Sequence, residues 1–131
     1  MKPEWKEFLI KRGAEFSGDS LISFGNPDLE RRIPPRGAIL CDLSHFGLIR
    51  IMGEDAENFL QGQFTNDIRQ VTDQWSQLSA YSNPQGRVLA TFFITQRQGS
   101  YYLSVSRDLV ETLLKRLRMY VLRAKVYLED A

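Results

Sequence analysis

The sequence has one cysteine, Cys41, and one histidine, His45. A lone cysteine closes no internal disulfide, and one cysteine with one histidine builds no metal site of the usual kind. Net charge is +1, so bulk charge gives no reason to expect nucleic acid or an anionic membrane, although a local patch could hold a small anion. No apolar run approaches the ~18 residues of a membrane span. Met1-Lys2-Pro3-Glu4-Trp5 opens the chain on polar residues, without the apolar core of a signal peptide. The expectation is a cytoplasmic protein in a reducing compartment, with no metal and no membrane or nucleic-acid partner.

What is present is ordinary for a globular domain. The 131 residues are 43% hydrophobic and 25% charged, enough to bury a core without staples. Residues 3–12 read as a helix, with Pro3 at its first position, Glu4 at its positive end and Gly13 to end it. The segment from 14 to 36 is broken by Gly18, Gly25, Pro27, Pro34 and Pro35. It is expected to wrap a core made by others, with a short strand at 21–24 and a helical turn at 28–32. Strands are expected at 38–42, 46–52, 77–82, 88–95, 101–105 and 124–128. In the strand at 77–82 the alternation sets Leu78 and Ala80 on one face against Gln77, Ser79 and Tyr81. Helices are expected from Ala56 to Phe64 and again after Ser106, where Leu109, Val110, Leu113, Leu114, Leu117 and Val121 make an apolar stripe. Residues 70–74 read as a polar linker. Cys41 lies in an apolar run and is expected to behave as a small buried hydrophobe.

This order predicts an α+β fold, an antiparallel or mixed sheet with two helices packed on one face. The division expected is 1–37 for an N-terminal helix and wrapping segment, and 38–131 for the α+β domain. No nucleophile–base pair stands out. The amide-rich stretch from Phe46 to Arg87 is the natural place for a ligand. Gln61, Gln63 and Asn66 belong to the polar cluster in which the first core helix ends, and Asn83-Pro84-Gln85-Gly86 has the pattern of a type I turn.

Four blocks in that stretch and beyond carry a resemblance. They run from Leu43 to Ala56, from Phe59 to Asp67 (FLQGQFTND), from Asn83 to Leu89 (NPQGRVL), and from Leu117 to Val126 (LRMYVLRAKV). Together they resemble the folate-binding YgfZ-type proteins, relatives of the glycine-cleavage aminomethyltransferase, or T-protein. The resemblance implies one half of a folate-binding unit built from two similar α+β halves around a central channel, in a family whose members are much longer. It implies tetrahydrofolate as the cofactor, iron–sulfur client enzymes as partners, and support of iron–sulfur cluster assembly or repair without a settled reaction. It also implies folate contacts at Phe46, Gln63, Asn66, Tyr81, Asn83 and Arg87. Phe46 would stack on the pterin, the amides would pair with its edge, and Arg87 would meet the glutamate tail. Each has a plainer reading: a core ring for Phe46, packing for Tyr81, helix-end chemistry for Gln63 and Asn66, a local turn bond for Asn83, and a solvated face for Arg87. Arg118, Arg123 and Lys125 stand between tail binding and dipole or surface roles in the same way.

Two departures bear on activity. Aminomethyltransferases carry an acidic residue in the strand after the Asn-containing turn. The matching positions here are Ala90 and Thr91, neither of which is a carboxylate base. The Lys-Gly-Cys motif of the YgfZ type is absent, and Cys41 is not in such a context. Three readings stay open: a folate-binding accessory protein without a reaction of its own, an aminomethyltransferase-type enzyme, and a non-catalytic domain that pairs as a twofold homodimer over its uncovered channel wall.

Overall fold

The computed structural model describes residues 1–131 and divides them into two units, Met1–His45 and Phe46–Ala131. The first begins with α1, Pro3–Lys11, which buries Leu9 and stacks Trp5 on Phe8 with ring centroids 5.2 Å apart. A hairpin follows, β1 (Glu15–Ser17) and β2 (Ser20–Ser23). Its first strand was not expected, because three residues carry no readable alternation. Helix α2 (Pro27–Arg32) is started by Asn26, whose Oδ1 accepts from Leu29 N at 3.1 Å.

The strand expected at 38–42 does not form. These residues pair with no strand, and Leu40 is 96% exposed. An apolar run without a neighbour to supply the ladder stays irregular. Asp42 instead accepts from Trp5 Nε1 at 2.8 Å and from the hydroxyl of Ser44 at 2.7 Å. Burial pushes the Asp42 carboxyl up, but these bonds outweigh it and hold it below the ordinary value. Residues 38–45 therefore belong with the first unit, whereas the expected division at 37/38 set them with the sheet. Cys41 is exposed, not buried.

The second unit is a five-stranded, wholly antiparallel sheet with helices on one face. Its elements are β3 (Phe46–Met52), α3 (Ala56–Gln61), β4 (Gln77–Ser82), β5 (Val88–Arg97), β6 (Ser100–Ser106), α4 (Val110–Val121) and β7 (Tyr127–Asp130), in the order β4-β5-β6-β3-β7. Alternation fixes the inner face: Ile49 and Ile51, Phe92 and Ile94, Leu103 and Val105 are almost wholly buried. Leu60 of α3 and Leu113, Leu114 and Leu117 of α4 close the core. Helix α3 is shorter than expected and stops at Gly62, while a 3₁₀ turn at Ile68–Gln70 precedes the linker. A 3₁₀ turn at Arg107–Leu109 also precedes α4. The last strand lies at 127–130 rather than 124–128.

The phase of β4 is the reverse of the expected one. Ser79 and Tyr81 face the core at 4% and 6% exposure, while Leu78 is 58% exposed. A partner-free reading assigns the apolar side inward. Pairing decides otherwise, because Leu78 lies opposite Phe93, itself 53% exposed, and Tyr81 lies opposite buried Ala90. Gly47 completes the frame. A Cβ there would lie 2.2 Å from Val110 Cγ2, so only glycine lets the start of α4 sit this close to β3. That contact fixes the 106–109 segment beside Phe46.

Candidate functional site

The outer face of the sheet, opposite α3 and α4, carries Phe46. One row across it runs Leu78, Phe93, Ser104, Leu48, each opposite the next. A second row pairs Ala80 with Thr91 on one side and Ser106 with Phe46 on the other. The β5–β6 register, carried two residues past Phe93 and Ser104, sets Thr91 opposite Ser106. Phe46 and Leu48 are each 37% exposed. Single exposed apolar side chains are normal; here Leu78, Phe93 and Leu48 share one face, with Ser104 between the last two.

The expected site residues divide. Phe46 lies on this face; Thr91, one of the two positions where an acid is lacking, lies on it two strands away. Tyr81 points to the other side, into the core formed with Phe64 and Phe92, whose rings are 4.7 Å apart. Phe46 and Tyr81 therefore sit on opposite faces of one sheet. Asn83 and Arg87 lie in the β4–β5 turn. The Oδ1 of Asn83 accepts from Gln85 N at 3.1 Å and Arg87 N at 2.8 Å, so the turn occupies that oxygen and leaves the NH2 group. The side chain of Arg87 is exposed.

Two of the amides at and after the end of α3 are engaged within the chain. Gln61 Oε1 accepts from Ile68 N at 2.8 Å. Asn66 Oδ1 accepts from Thr65 and Ser79 hydroxyls at 2.8 and 3.3 Å. Thr65 N donates to Ala80 O, which lays this loop along the edge of β4. Gln63 is half-buried and makes no side-chain hydrogen bond within the chain. Asp67 is clasped by Arg69, whose side chain and backbone N–H donate to it. That bonding holds its carboxyl below the ordinary value and raises the guanidinium. Of the other cations, Arg118 donates to Leu128 O at 2.8 Å and Lys125 pairs with Glu54 at 2.7 Å, while Arg123 is exposed.

Three contributors were not singled out from sequence. Leu48 and Phe93 face outward by pairing register alone. Arg107 reaches the carbonyl of Phe46 at 3.3 Å because the β6–α4 junction folds back on β3. Pairing Phe46 with Ser106 would have found it; no local pattern does. Nowhere do three His, Cys, Asp or Glu side chains come together to hold a metal ion, and no helix is long and apolar enough to cross a membrane.

The element order and the helix-backed antiparallel sheet define part of an aminomethyltransferase-type fold. A solved structure, the glycine cleavage system aminomethyltransferase T from Bartonella henselae, superposes with a TM-score of 0.63 at 19% identity, covering 69% of this chain and 25% of that one. The GCVT N-terminal domain family matches residues 29–131, and the chain belongs to that family. Among curated proteins it is similar to the tRNA-modifying protein YgfZ of Colwellia psychrerythraea. The two are 32% identical over 92 residues, 70% of this chain and 28% of that protein. It is also similar to the mitochondrial iron-sulfur cluster assembly factor IBA57 homolog of Aspergillus fumigatus. There the identity is 35% over 112 residues, 72% of this chain and 25% of that protein. The chain thus spans little more than a quarter of these relatives.

Proposed function

We propose that this chain is one wall of a tetrahydrofolate site in an accessory protein of iron–sulfur cluster assembly or repair, without a reaction of its own. The observation that carries the reading is the pair Phe46 and Thr91 on one open face. Phe46 is an aromatic residue 37% exposed on that face. Of the two positions where aminomethyltransferases would place their acid, Ala90 is turned into the core and Thr91 faces out with a hydroxyl. A hydroxyl hydrogen-bonds a ligand but does not act as a carboxylate base. That disfavours aminomethyl transfer while leaving binding intact.

The residues present fit one side of a folate. Phe46, Leu48 and Phe93 supply an apolar floor, and Thr91, Gln63 and the free NH2 of Asn83 supply polar contacts at its margin. Arg87 and Arg107 are the cations available to the glutamate carboxylates. Folate, when bound, supplies a carrier of one-carbon units; the chain's residues bind it and exclude water from its ring. Cys41 alone cannot provide the thiolates of a cluster, so the role in cluster maintenance runs through a client protein. The cytoplasm is the compartment that suits an exposed free thiol.

The same open face favours a second reading alongside the first: a second copy of the chain covers Leu48, Leu78 and Phe93 as a twofold homodimer. Calorimetric titration with tetrahydrofolate tests the folate reading. Heat with wild type, and a loss of about tenfold or more in affinity with Phe46→Ala, is expected. No heat with either protein overturns it.

A further inference from the structure

We infer that Asp108 is a specificity-determining residue of the folate wall, accepting hydrogen bonds from the amino-pyrimidine edge of a pterin stacked on Phe46. The inference rests on the folate reading and adds a contact to it. Strands β3, β4, β5 and β6 contain no Asp or Glu at all, so the open face supplies no carboxylate of its own. At the sheet's far edge Glu129 is paired with Arg50 at 3.3 Å. Asp108 is the first carboxylate after β6, two residues beyond Ser106, the cross-strand partner of Phe46.

Its orientation is set. The Ser106 hydroxyl donates to Asp108 Oδ1, drawing the carboxylate back toward the strand end. The plainer role for an acid here is to cap α4. Yet neither α4 nor the 3₁₀ turn before it receives a side-chain cap bond. The Oδ2 atom takes no hydrogen bond within the chain. Gly47 lets the junction close against β3, which sets the backbone leading into α4 beside the strand that carries Phe46.

The dimensions suit the ligand. Phe46 and Thr91 are two strand spacings apart, about 10 Å, which leaves room for a fused two-ring heterocycle between them. Ser106 lies between them. The edge of a pterin presents an exocyclic amine beside a ring N–H, two adjacent donors that a carboxylate accepts together, as it does a guanidinium. Asp108 thereby provides a carboxylate that positions 90 and 91 do not, from a different element.

The test is calorimetric titration of the purified chain with tetrahydrofolate and with its desamino analogue, for wild type, Asp108→Asn, Ser106→Ala and Phe46→Ala. Circular dichroism melts check that each variant is folded. Asp108→Asn is expected to weaken tetrahydrofolate by about 10- to 100-fold and the desamino analogue far less. Ser106→Ala should weaken tetrahydrofolate by a smaller factor. Wild type that binds while Asp108→Asn binds equally well overturns this inference and leaves the folate wall standing. An equal loss for both ligands with Asp108→Asn also overturns it, since it makes the residue structural. Wild type that binds neither ligand overturns the folate reading and the inference together.

Discussion

Lys125 N donates to Asp55 Oδ2 at 2.7 Å, across 70 residues of chain. Asp55 N in turn donates to Lys125 O at 3.3 Å. The Gly-Glu-Asp turn after β3 is thus interlocked with the Ala-Lys segment before β7, and two of the four sequence blocks are one structural joint. Asp55→Ala should lower unfolding free energy by about 1.5–3 kcal/mol, since it strips a charged acceptor from a backbone N–H. Asp55→Asn should cost less. Urea denaturation checks both. By contrast Lys125→Ala, which breaks only the exposed pair with Glu54, should change stability by under about 1 kcal/mol.

Gly53 lies inside the same joint at φ +126, and a Cβ there would stand 2.0 Å from Lys125 O. Gly53→Ala combines a disfavoured backbone with a collision against another backbone, so it should cost about 3 kcal/mol or more. The expected result is a large drop in urea midpoint. A near-neutral variant would mean that the joint yields easily.

Leu122 carries strain of the opposite consequence. It sits at φ 49, ψ −109, the first corner of a type II′ turn closed by Ala124 N to Val121 O at 2.9 Å. The side chain is 86% exposed, so it gains little burial. Leu122→Gly removes a backbone strain of about 1–3 kcal/mol against a flexibility cost of about 0.4–1. A net gain of about 1 kcal/mol is expected, seen as a rise in melting temperature of roughly 4 °C.

Tyr101 donates its hydroxyl to Glu57 at 3.2 Å, and burial, then the Glu57 charge, push its pKa up to about 12. The unfolded value lies near 10. Stability from the neutral phenol is therefore full below pH ~10 and falls as pH rises toward 12. Tyr101→Phe should lose that part of the alkaline decline. Overlaid urea midpoints for the two proteins between neutral pH and pH ~11 test this; parallel curves throughout would refute it.

The outer face gives a further test. Wild type is expected to be a dimer by light scattering well above micromolar concentration. Phe93→Arg should be a folded monomer, because Phe93 is half in solvent and its loss leaves the core untouched. A monomeric wild type would remove the dimer reading without touching the folate wall.

Element types were legible where one periodicity ruled. The α4 stripe and the inner residues of β3 and β6 follow from spacing, since each buries one face only. The phase of β4 was not, because Leu78 looks inward until Phe93 is set opposite it. The run at 38–42 has strand composition and no partner, and composition cannot supply one. For the candidate site, the turn chemistry of Asn83 was legible in sequence. That Tyr81 faces away from Phe46 depends on its pairing with Ala90, and that Arg107 reaches Phe46 depends on the pairing of Phe46 with Ser106, 60 positions on; no local pattern encodes either.

The sheet also opens and closes in one place. β3 begins the second unit, β7 runs alongside it, and Ala131 N donates to Leu48 O at 2.8 Å. The entry and exit of the unit are thus neighbours on one sheet. A module with adjacent ends behaves as a cassette: it can be spliced into a host loop or circularly permuted by a short linker without dragging its strands apart. Repetition of such a cassette within one chain would need no rerouting of the fold.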